Sequence, residues 1–282
     1  MLPVHRLPSD APSLLDNDIQ FDEERFDVRF WGLHAQRSHL FRGATVEAYV
    51  FGLREDDSED MPTRNRRLYT PGLRISRAPA KGQWNYDFES ALQFGKRRDS
   101  TKADDTRDLD HFAFMGHAEV GYTFDAAGAP RVAALYDHAS GDDNPADGDS
   151  NRFDTLFGAR RFEHGPTGIY GSFARSNIQS PGLRLTVRPA KSVEAMTTYR
   201  PYWLASDTDA WTAGGVRDNS GNSGSFIGQQ LEARLIWDAL PGNVRIEAGG
   251  AYLFAGDFAK NAPNANGQGD TAYGYMSLGL TF

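Results

Sequence analysis

Trp84-Asn85-Tyr86-Asp87-Phe88-Glu89-Ser90-Ala91-Leu92-Gln93-Phe94 alternates large apolar side chains with polar or small ones, Ser90 being the one interruption. A β-strand points successive side chains to opposite faces, so this stretch gives one apolar face and one polar face. The run exceeds the roughly 5–6 residues usual for strands of soluble proteins and matches the roughly 9–11 that a tilted strand needs to cross a bilayer. Moving outward, Phe112, Phe114, Val120, Tyr122 and Phe124 oppose Ala113, Met115, His117, Glu119 and Thr123. Leu183, Leu185 and Val187 oppose Arg184, Thr186 and Arg188, and the pattern returns over 230–237 and 244–254. A soluble antiparallel sandwich or an eight-stranded ligand-binding barrel also alternates. Its strands are shorter, however, and its apolar face is not routinely bounded by aromatics, as it is here by Trp84, Trp203, Trp237 and Phe282. The alternation therefore predicts an all-β fold, an antiparallel transmembrane β-barrel.

Composition removes competing classes. The 282 residues contain no cysteine, hence no disulfide and no thiolate metal site, and no run of about 20 apolar residues that could span a bilayer as a helix. Mean hydropathy is −0.56 and net charge −8, which argues against a nucleic-acid partner.

The connections fall into two length classes. Short turns are expected at 37–42, 78–81, 125–129, 189–192 and 238–242. Long polar loops alternate with them at 54–67, 95–109, 141–180, 206–225 and 256–271. Outer-membrane barrels keep short turns in the periplasm and long loops outside, so the chain reads as a single barrel domain over 1–282 in a bacterial outer membrane. Eleven strands are expected, at 26–36, 43–54, 68–77, 82–95, 110–124, 130–139, 181–189, 193–205, 226–238, 243–255 and 272–282. Because single-chain bacterial barrels have an even number of strands, residues 1–25 read as the remnant of an extracellular loop, with further strands and a signal peptide expected upstream. The ending Tyr273-Gly274-Tyr275-Met276-Ser277-Leu278-Gly279-Leu280-Thr281-Phe282 looks like the terminal strand that barrel-assembly machinery recognises, which makes that machinery an expected partner through Phe282.

Leu135-Tyr136-Asp137-His138-Ala139-Ser140-Gly141-Asp142 followed by Phe153-Asp154-Thr155-Leu156-Phe157-Gly158 resembles the alginate export family of outer-membrane porins. Asn177-Ile178 with Leu183-Arg184-Leu185-Thr186-Val187-Arg188-Pro189, then Tyr202-Trp203-Leu204-Ala205 before Thr208-Asp209-Ala210-Trp211, and Ala255-Gly256-Asp257-Phe258 follow in the family's order. The resemblance covers about Leu135 to Phe282 and the first half by pattern. It implies a barrel of about eighteen strands, of which about eleven are visible, a uronic-acid polymer as substrate, and periplasmic export components as partners.

With the apolar face against outer-membrane lipid, the inward residues are expected to include Arg29, Arg74, Arg131, Arg184, Arg188, Arg200, Arg234 and Arg245. Asp27, Asp87, Glu89, Glu119, Asp137, Glu194, Glu232 and Glu247 are expected on the same wall. The C-terminal half carries five of these arginines against three glutamates, a bias that would attract an anionic polysaccharide while the carboxylates keep its binding weak enough for release. The same arginines and acids could instead only brace the wall, leaving a general or anion-selective porin for small solutes. The loop 141–180 is too long for a plain connector; it is either a solvated surface loop or a constriction folded into the pore, with Arg160 and Arg161 at the mouth. Its acids do not follow calcium-loop spacing, and no metal or cofactor is expected. No catalytic site is expected either, because Asp137 and His138 are adjacent on a strand and point to opposite faces.

Overall fold

A strand buried in lipid must pair its backbone groups with neighbouring strands, and the chain does so along one continuous antiparallel sheet. The computed structural model describes residues 2–5, 24–41, 43–57, 62–158, 164–265 and 269–282. In chain order the strands are β1 (Leu2–His5), β2 (Glu24–Leu40), β3 (Ala44–Glu55), β4 (Arg67–Arg77), β5 (Gln83–Arg97), β6 (Leu109–Thr123) and β7 (Arg131–Ala139). They continue as β8 (Asp149–Ser150), β9 (Ile178–Ala190), β10 (Val193–Trp203), β11 (Phe226–Leu240), β12 (Val244–Ala255) and β13 (Thr271–Leu280). Each strand pairs with its sequence neighbour, except that β8 adds in parallel to β6 and β9 pairs with β7. All eleven long strands lie where the alternation places them. β1 and β13 form the two ends of the path and are not paired with one another among the described residues.

Three features depart from the sequence reading. Residues 1–25 were expected to be a loop, yet Leu2–His5 pair with the edge of β2 and β2 itself begins at Glu24; residues 6–23 lie outside the described residues. The two-residue β8 and the short helix α1 (Asp257–Asn261) sit inside expected loops. In β2 the alternation has the opposite phase to the one expected for Asp27 and Arg29. Val28 is buried and Phe30 meets Phe157 from the long loop, so Asp27 and Arg29 face outward at the rim, where Arg29 donates to the Phe26 carbonyl. Register fixes this, because Val28 lies opposite the buried Glu55 and Trp31 opposite Gly52, over whose Cα the indole lies on the outer face.

The sheet is inverted relative to a soluble core. On β5, Leu92 is 50% exposed whereas its neighbour Gln93 is fully buried, and the same contrast of exposed apolar and buried polar or small residues runs along β6 and β7. Water would penalise an apolar surface this extensive, and lipid does not. Trp84, Phe88, Phe94, Phe112, Phe114, Leu183, Leu231 and Trp237 all share this outer face. The opposite, inner face carries the charges.

The connections keep the expected order, with short ones after β2, β4, β6, β9 and β11 and long ones at the other end. The first is displaced, since β2 runs on to Leu40 through a register irregularity between Arg37 and Leu40. Gly82 and Gly242 hold φ of 68° and 86°, which side chains with a Cβ resist, so these turns tighten at glycine.

Leu185, 40% exposed on the outer face, is followed by Thr186 on the inner face. Leu185→Arg should lower barrel stability in a lipid refolding titration by about 2–4 kcal/mol while Thr186→Arg is tolerated. Equal losses would mean that the faces are assigned wrongly.

Candidate functional site: a charged inner wall beneath a folded-in loop

Long inward side chains meet across strands because small residues separate them. Arg184 on β9 reaches over β7 to Glu119 on β6 at 3.0 Å and donates to Thr198 at 3.2 Å, and its register partner on the intervening strand is Ala133. Arg131 lies over Gly121 and donates to Glu119 at 2.5 Å and to Asn85 at 3.0 Å. Arg74 bridges Asp87 at 2.5 Å and Glu47 at 3.3 Å. Asp137 is the centre of this network. Arg200, only 2% exposed and lying over Gly182, donates to it; His117 meets it at 2.7 Å and Arg175 at 3.6 Å. His117 thus bonds Asp137 rather than its same-strand neighbour Glu119, and His138 stacks on Phe114 away from this network.

Apart from Asp27 and Arg29, which face outward, the other expected wall residues that the structure describes lie on the same inner face. Arg188 pairs with Glu194 at 2.7 Å with its side chain 68% exposed, and Arg245 lies 3.8 Å from Asp238 near the short-turn end. Glu247 accepts from the Tyr275 hydroxyl at 2.5 Å. Glu232 is buried in line with Thr198 and Ala251, and Arg234 follows two residues on, in register with Met196 and Gly249. Arg160 and Arg161 lie outside the described residues.

Among the described residues, the connection from Ser140 to Asn177 lies across the inner face. It is not a plain surface excursion. Near its start Asp154 exchanges backbone bonds with the Gln93 side chain at 2.8 and 3.1 Å and takes Arg66 at 2.8 Å. Farther along, Arg175 reaches Glu89 at 3.4 Å, Tyr170 donates to Gln230 at 2.8 Å, and Thr167 meets Tyr273 at 2.8 Å. These ties run from β5 to β13. Phe173 stacks on Tyr202 at 3.6 Å, and with Phe153, Trp211 and Phe258 they build an apolar core inside the polar wall. Sequence reading missed Arg175, the loop cation that joins Glu89 and Asp137; its only signal was a basic residue just before the return to β9.

Between loop and wall, a cavity of about 250 Å3 is lined by Arg74, Arg175, Arg184 and Arg200 and by Asp87, Glu89, Glu119 and Asp137, with His117 among them. The charges balance. A guanidinium paired in this way can exchange its carboxylate partner for another carboxylate.

The model of a family described as alginate export matches residues 11–272 of the chain. That span reaches well forward of Leu135. No curated protein matches. Sixteen chains of solved structure match, among them a NanC porin in a rhombohedral crystal form, aligned over 91% of this chain and 94% of its own with 8% sequence identity and a TM-score of 0.39.

Two loop groups give the docking a pH dependence of known sign. Burial would raise the Asp154 carboxyl, but Arg66 and Arg97 outweigh it and hold it below the usual carboxylate range, so its contribution fades only in strong acid. Burial, then Arg200, pushes His164 down to about 3 from 6.5, so the docked loop binds fewer protons than a released one, and docking weakens as pH falls below about 6.5. At pH 5 the loss is about 2 kcal/mol, from about 1.4 kcal/mol per pH unit. Limited proteolysis should therefore cut the loop faster at pH 5 than at pH 8, and His164→Phe should flatten the difference. A pH response unchanged in that variant would assign it to another group.

Proposed function

This chain belongs to the alginate export family, and we propose that it is a bacterial outer-membrane channel through which an alginate-like uronic-acid polymer leaves the cell by passive passage. One observation carries the reading. Arginines and acids line the inner face while the outer face is apolar, which makes the wall a polar conduit with a lipid-compatible exterior. A guanidinium on such a wall attracts a uronate, and the carboxylate already beside it, such as Glu194 beside Arg188, competes with the guest and keeps residence short. A polymer can then move by exchange from one arginine to the next. Arg184 and Arg188 lie on one strand four residues apart, about 13 Å at roughly 3.3 Å per residue. In the same reading, outer-membrane lipid surrounds the outer face, barrel-assembly machinery takes the strand ending at Phe282, and periplasmic export components deliver the polymer.

The balanced cavity favours a second reading. Four arginines face four carboxylates there, an arrangement that would also suit a porin for small solutes.

Arg184→Gln with Arg188→Gln separates the two, since Arg200 is locked to Asp137 and its removal would disturb the wall. One charge about 8 Å from a permeating ion at an effective dielectric near 40 contributes about 1 kcal/mol, or roughly five-fold in ion preference. In planar bilayers the double variant should lose several-fold in anion preference and in block by uronic-acid oligomers. Unchanged selectivity and block would leave these arginines structural and make the small-solute porin the better account.

A further inference from the structure

The inner wall is not uniformly charged. On β3, Tyr49 and Phe51 point inward, and each lies opposite a glycine, Tyr49 against Gly72 of β4 and Phe51 against Gly32 of β2. A Cβ at either glycine would overlap the ring of its partner. Each ring therefore occupies the space directly over a bare Cα and lies along the wall, an arrangement only glycine permits. Their centroids are 5.1 Å apart with planes 33° from parallel, and the Tyr49 hydroxyl is tied down by Glu89 at 2.7 Å.

Both rings line a cavity of about 310 Å3 whose opposite side is the folded-in loop, contributing Phe153, Phe173, His164 and Arg175. That volume is at the lower end of the ~300–1,000 Å3 usual for small-molecule sites. On the loop side the lining is polar as well as aromatic, with Thr155 and Arg175 beside Phe153 and Phe173. The cavity thus offers flat aromatic faces on one side and the polar groups of Thr155 and Arg175 on the other.

We propose that this cavity is a carbohydrate subsite in which pyranose rings lay their apolar C–H faces on Tyr49 and Phe51 while their hydroxyl edges face Thr155 and Arg175 of the loop. The electron-rich faces of the rings attract the slightly positive C–H groups of a sugar. This contact needs no charge on the sugar. The inference rests on the export reading for its polymer and deepens it, because the arginines would select a uronate while the aromatics would recognise the sugar ring itself.

Binding of a mannuronic-acid hexamer and of the neutral mannose hexamer to the full chain in lipid, followed by calorimetry, tests the two parts separately. The wild type should bind both, the charged one more tightly. Tyr49→Leu with Phe51→Leu keeps apolar cover over both glycines but removes the aromatic faces, and should weaken both oligomers about ten-fold. Gly32→Ala with Gly72→Ala keeps both rings but lifts them from the wall, and should weaken both as well. Arg184→Gln with Arg188→Gln should weaken only the charged hexamer. Failure of the neutral hexamer to bind the wild type, or unchanged binding of both hexamers in the leucine variant, would overturn the subsite. If the arginine variant bound the charged hexamer as the wild type does, the export reading would fall while the subsite stood.

Discussion

Backbone pairing in a medium without water is the constraint from which the rest follows. Inside a bilayer each unpaired N–H or C=O costs several kcal/mol, so strands must run in continuous register with their neighbours. Once they do, the two-residue period of a strand leaves one choice, which face meets lipid. A slip by one residue on β9 would place Arg184 and Arg188 outside and Leu183 and Leu185 inside. The ladder from β9 to β10 and on to β11 holds that choice in place.

The inner face then has to satisfy its own charges, and small residues make this geometrically possible. Ala133 lies between Arg184 and Glu119, Gly121 makes room for Arg131, and Gly182 for Arg200. At the centre, Asp137 gathers β6, β7, β10 and the long loop through His117, Arg200 and Arg175. A buried carboxylate with three partners is far less costly than the same group alone, and removing one partner would leave the others exposed to that cost. The loop is therefore coupled to the wall. Its apolar core of Phe153, Phe173, Tyr202 and Trp211 closes over the charged floor.

The strands were legible because period-two alternation is a local property and lipid reinforces it on every strand. Two things were less so. In β2 the run Arg29-Phe30-Trp31 offers bulky groups on both faces, and the phase is set by partners elsewhere in the chain: Trp31 needs Gly52 beneath it, and Phe30 meets Phe157. The path of the loop depends on contacts far apart in sequence, such as Arg66 with Asp154 and Thr167 with Tyr273, which no local pattern encodes. The partners that Phe153 and Phe173 bury against, Tyr202 and Trp211, lie on other connections and strands. The aromatic floor was hidden for the same reason, since the glycines that let Tyr49 and Phe51 lie flat sit on β4 and β2.

The most direct measurement uses the absence of cysteine from the chain. Single cysteines at positions 182 to 188 of β9 in the lipid-inserted protein can be challenged with a charged, water-soluble maleimide. Positions 182, 184, 186 and 188 should react, while 183, 185 and 187 stay protected until a lipid-soluble reagent is used. Uniform labelling, or labelling with the opposite phase, would contradict an inner charged wall facing water and an outer face in the bilayer.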